Sequence, residues 1–78
     1  MTKSVFSDHY TQFRQALTAA RKGAGLTQVD LATRLNKPQS YISKIENGER
    51  RIDVVEFIAV ARALGINPSI LIDELSNE

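Results

Sequence analysis

The chain has 78 residues, 42% of them apolar and 24% charged, which suits one folded domain with a modest core rather than a disordered chain. It has no cysteine, a single histidine, no glycine-rich phosphate loop and no spaced metal ligands, so neither an enzyme nor a metal or other cofactor is expected, and no apolar run approaches the roughly 20 residues that span a bilayer. The net charge of +1 hides an asymmetry: residues 1–51 carry nine cations and four acids, a net of +5, whereas residues 52–78 carry one cation and five acids, a net of −4.

In chain order, residues 1–6 read as a flexible arm. Ser7 or Asp8 is placed to cap a first helix running to about Lys22, with Tyr10, Phe13, Leu17 and Ala20 as its apolar stripe and Ala16 beside it. His9 is given no role. Gly23-Ala24-Gly25 breaks that helix, and at least one of the glycines is expected at positive φ. Leu26 then reads as a core plug. A second helix is predicted over Thr27–Leu35, capped by Thr27, with Asp30 in its first turn and Leu31, Ala32 and Leu35 on one side. Asn36 tolerates the left-handed backbone that ends a helix, and Pro38 cannot continue one. A third short helix is predicted over Pro38–Asn47, ended by Asn47-Gly48.

After the Glu49-Arg50-Arg51 loop, Asp53 with Glu56 three residues on resembles a capping box. The helix it starts runs to about Leu64. Val54, Phe57, Ile58, Ala61 and Leu64 form its core stripe, Val55, Ala59 and Val60 broaden it, and Gly65 ends it. Asn67-Pro68 starts a fifth helix over Pro68–Leu75, leaving Ser76-Asn77-Glu78 as tail.

The third helix has two unlike faces. At about 100° per residue, Gln39, Ser40, Ser43, Lys44 and Asn47 share one arc, while Ile42 and Ile45 lie opposite and Tyr41 sits on the border. The outward arc holds amides, hydroxyls and a cation but no acid, which suits base edges and phosphates; an ordinary solvated face has the same pattern. The preceding short helix, the tight turn and the cations that follow favour the first reading.

Thr27–Gly48 resembles the helix-turn-helix of the phage-repressor-like (Cro-like, Xre-type) transcription regulators. The matches fall at Leu26-Thr27-Gln28, Leu31-Ala32, Leu35, the whole of Gln39–Gly48, and Ala61, Leu64 and Gly65, within residues 10–75. The resemblance implies an all-α, compact five-helix lambda-repressor-like DNA-binding domain with a central helix-turn-helix. Its partner would be double-stranded DNA, with no membrane partner and no small-molecule ligand, and its place the cytoplasm.

On that reading Gln39 and Ser40 reach base edges, with Ser43 and Lys44 one turn later. Thr27, Gln28, Tyr41, Asn47, Arg50 and Arg51 are the phosphate candidates. Arg21 and Glu46 are expected to form a structural ion pair, because Glu46 falls beside Ile42 at the edge of the inward arc and family members often pair Arg and Glu here. The second half is richer in apolar residues than a core stripe needs. Val55, Ala59, Ile70, Ile72 and Leu75 are therefore read as a homodimer interface, which would let two such helices read a palindrome. The sequence departs from the family pattern at Asn36 (usually Gly), Lys37 (usually apolar), Pro38 (usually Ser or Thr) and Val29 (commonly charged). The alternative function is a protein-interaction module that keeps the fold without binding DNA.

Overall fold

A computed structural model describes residues 5–76, with side chains described from Asp8 onward. It contains five helices: α1 (Val5–Gly23), α2 (Gln28–Leu35), α3 (Gln39–Glu46), α4 (Val54–Leu64) and α5 (Pro68–Ser76). No described helix is long and apolar enough by itself to cross a membrane.

Helix α1 starts earlier than its sequence suggested. Asp8 lies in the first turn rather than at the cap, a place where a carboxylate suits the helix dipole. Residues 5 and 6 of the expected arm are therefore helical, and residues 1–4 lie outside the described residues. Helices α2 and α4 both begin with a reciprocal capping box. Thr27 Oγ1 accepts from Asp30 N at 3.0 Å and Thr27 N donates to Asp30 Oδ2 at 2.9 Å; Asp53 Oδ1 accepts from Glu56 N at 2.7 Å and Asp53 N donates to Glu56 Oε1 at 3.1 Å.

The first four helices close in Schellman turns. In α2, Lys37 N donates back to Ala32 O at 2.9 Å around Asn36, whose φ is +61°. Asn is among the few non-glycine residues that adopt this backbone at little cost, so the turn survives without glycine. In α3, Glu49 N reaches Lys44 O at 2.9 Å around Gly48, φ +81°. Helix α3 is shorter at both ends than predicted. Pro38 is its extended N-cap and supplies no side-chain bond, and Asn47 is its C-cap.

Helix α2 packs against α3 and α4, α1 against α3 and α5, and α4 against α5. The core comprises Leu17 of α1, Leu31 and Ala32 of α2, Ile42 and Ile45 of α3, Phe57, Val60, Ala61 and Leu64 of α4, and Leu71 of α5. Each large aliphatic buried this way contributes about 1.5–3 kcal/mol. Phe13 packs edge-on against Phe57 with ring centroids 5.4 Å apart. Two α4 assignments change. Val60, read as peripheral, is 2% exposed, whereas Val54, read as core, is 67% exposed. The inward arc runs through 57, 60, 61 and 64, the i, i+3, i+4, i+7 pattern, and Val54 is the first helical residue, at the margin of the bundle.

Candidate nucleic-acid interface

The α2–turn–α3 unit presents the arc that the sequence singled out. Gln39, Ser40, Lys44 and Asn47 are exposed, Ser43 is half-buried, and Ile42 and Ile45 are buried on the opposite side. Anchoring α3 by those isoleucines alone would leave its rotation to packing. Hydrogen bonds add a second constraint.

Arg21 is 7% exposed, and each of its three guanidinium nitrogens donates a hydrogen bond. Nε donates to Glu46 Oε2 at 2.7 Å, Nη2 to Glu46 Oε1 at 3.0 Å, and Nη1 to Leu26 O at 2.8 Å. Glu46, whose side chain is 7% exposed, also accepts from Gln28 Nε2 at 2.9 Å. Gln28 Oε1 in turn accepts from Gln39 Nε2 at 3.2 Å. A continuous chain thus runs from a buried cation on α1 to the first residue of the outward arc. The bidentate geometry and the third acceptor on Arg21 are what a desolvated ion pair needs to offset its desolvation.

Three expectations are modified by these contacts. The Gln28 side chain, proposed for phosphate, is spent at both ends on Glu46 and Gln39, so what α2 offers a phosphate is its N-terminal backbone beside Thr27. Arg50, proposed as a phosphate clamp, closes its fork on Glu56, with Nη1 to Oε1 at 3.0 Å and Nη2 to Oε2 at 2.8 Å; Nη1 also donates to Arg51 O at 2.9 Å. That fork holds the Glu56 carboxyl down to about 2, helped by the Asp53 backbone N–H. The Tyr41 ring is half-buried, with Lys37 Nζ 5.2 Å and Arg50 Cζ 4.9 Å from its centroid. Burial, and then the negative charge of Glu56, push its hydroxyl pKa up. The hydroxyl proposed for phosphate therefore sits beside a carboxylate.

Arg51 differs from its neighbour. It is exposed, and its guanidinium lies 4.6 Å over the Tyr10 ring. Two contacts were not anticipated from the sequence. Arg14 Nη1 donates to Glu46 O at 2.7 Å, and its guanidinium packs against Gly48, where an added Cβ would come within 3.0 Å of Arg14 Cζ. A signal existed: Arg14 lies seven residues before Arg21, two turns earlier on the same face of α1. Arg34 Nη1 donates to Ala63 O at 2.8 Å and satisfies a carbonyl in the last turn of α4.

Away from this surface, Val55 is 72%, Ile70 54% and Ile72 46% exposed, Ala59 is exposed and Leu75 half-buried. Among the described residues, no three His, Cys, Asp or Glu are grouped to hold a metal ion.

Comparison with known proteins agrees with this architecture. A helix-turn-helix family model matches residues 17–71. The chain is 40% identical over 60 residues to an immunity repressor protein of Bacillus phage phi105, covering 77% of this chain but 42% of that repressor. An XRE-family like protein from Pseudomonas syringae pv. tomato superposes with a TM-score of 0.90 at 42% identity, over 94% of this chain and 89% of the other. The restriction-modification controller protein C.AhdI from Aeromonas hydrophila superposes with a TM-score of 0.73 at 34% identity, over 83% of this chain and 97% of its own. With the fold, the capped helix-turn-helix and these relatives in agreement, the chain belongs to the helix-turn-helix family, among its phage-repressor-like, Xre-type regulators.

Proposed function

We propose that this DNA-binding transcription regulator works as a homodimer that reads a palindromic operator, one α3 in each of two successive major grooves. The observation that carries the reading is the Arg21–Glu46–Gln28–Gln39 chain. A solvated helix face needs no buried ion pair behind its first residue, whereas a reading head needs its rotation fixed before the duplex arrives. Gln39 and Ser40 take base edges, Gln39 pairing with adenine N6 and N7, and Ser43 and Lys44 contact a base or the flanking strand. The α2 N-terminus at Thr27, with Asn47 and Arg51 of the loop after α3, lies along phosphates.

One eight-residue helix spans only a few base pairs. Two copies joined through the exposed apolar residues of α5 and α4 would set their reading helices about 34 Å apart. The acidic second half then faces away from DNA, and the site of action is the cytoplasm. Selection of bound duplexes from a random library, with solution mass measured alongside, tests this. Enrichment of a two-fold symmetric site by a species of twice the chain mass supports it. Absence of salt-dependent binding to any duplex would instead favour a protein-interaction module.

A further inference from the structure

Resting on the DNA-binding reading above, we infer that Tyr10 is a positioning residue that presents Arg51 to a DNA backbone phosphate. The two arginines of the loop after α3 are adjacent in sequence but held in opposite ways. Arg50 is committed, its fork closed on Glu56. Arg51 is exposed, and no hydrogen bond or ion pair of its guanidinium occurs among the described residues. It is nevertheless held at two points. Its carbonyl accepts from Arg50 Nη1 at 2.9 Å, which fixes the backbone. Its guanidinium carbon lies over the Tyr10 ring, 4.6 Å from the centroid.

The ring is itself anchored. Tyr10 meets Phe13 at 5.8 Å, and Phe13 meets the buried Phe57 at 5.4 Å, so the shelf is tied to the core. A guanidinium held over an aromatic face by cation–π attraction keeps N–H donors free for phosphate oxygens. A long exposed arginine would otherwise lose rotamer entropy on making that contact; here the stack restricts it beforehand. The Tyr10 hydroxyl takes no part, being buried with no hydrogen-bond partner among the described residues.

The test is a double-mutant cycle of Tyr10→Leu and Arg51→Ala, with Tyr10→Phe as the conservative variant. Binding to a mixed-sequence DNA duplex is measured across a salt series, and thermal melts are recorded for every variant. Arg51→Ala is expected to flatten the salt slope by about one unit per subunit. Tyr10→Leu should weaken binding about 2- to 5-fold in the Arg51 background and not at all in the Arg51→Ala background. Tyr10→Phe should bind like the unaltered chain. Equal losses from Tyr10→Leu in both backgrounds, or failure of Tyr10→Phe to bind normally, would overturn the inference while leaving the DNA-binding reading intact. An unaltered chain that bound no duplex would overturn both.

Discussion

Glu46 is the residue that ties α3 to α1 and α2. Its carboxylate holds Arg21 and Gln28, and its carbonyl holds Arg14. Glu46→Ala leaves a buried guanidinium uncompensated and should cost about 3 kcal/mol, whereas the exposed Glu49→Ala should stay within about 0.5 kcal/mol. Urea unfolding of the two variants checks this, and similar midpoints would remove the pair's structural role. Glu56 gives a pH test. Its folded carboxyl is depressed from the ordinary 4.5 to about 2, so its contribution is complete above the unfolded value and is lost as pH falls through the folded one. The stability advantage over Glu56→Gln should therefore shrink between about pH 4.5 and pH 2. An advantage constant across that range would mean that the folded Glu56 carboxyl is not depressed. At this scale the Arg21–Glu46 contact was legible, since the helical arc places Glu46 at the edge of the inward face and the family resemblance points to Arg21 as its partner. The capture of Gln28 and Arg50 was not. Both sit where phosphate contacts are expected, and which acceptor an amide or guanidinium takes depends on separations of a few ångströms between elements.

Capping residues were the most legible feature at the element scale, because capping is local chemistry, but α1 starts before its expected cap and α3 is shorter at both ends. The Asp53–Glu56 box, the left-handed Asn36 and the stop at Asn47-Gly48 all follow from a few adjacent residues. Burial within α4 was less legible: Val54 and Val60 are chemically alike, and only the neighbours decide which one is covered. Gly48 joins the two kinds of information. Its φ of +81° is costly for other residues, and its missing Cβ leaves room for Arg14. Gly48→Ala should destabilise by about 1–3 kcal/mol. With Arg14→Ala in the same chain, the combined loss should be smaller than the sum of the single losses, because the crowding disappears and the backbone cost remains. Additive losses in chemical denaturation would show that Arg14 does not crowd that position.

For the molecule as a whole, cations concentrate in residues 1–51, and most of the exposed large apolar side chains lie on α4 and α5. The count and order of the helices were readable from stop and start signals, but their mutual packing came only through resemblance to a known fold. The exposed side chains of α4 and α5 carry the dimer proposal. Ile72 is 46% exposed, so Ile72→Asp should leave the fold intact, lower the solution mass to one chain, and weaken operator binding by at least about tenfold. Retention of the dimer mass would move the interface elsewhere.

The central claim is that a side chain held by the buried ion pair reads bases. Its most direct measurement is the affinity of Gln39→Ala for the selected operator and for each of its single base-pair variants. The expected loss is about 1–3 kcal/mol, confined to one symmetry-related pair of positions, with discrimination relaxed there and unchanged elsewhere. Uniform weakening across all duplexes, with the original preference intact at every position, would contradict it.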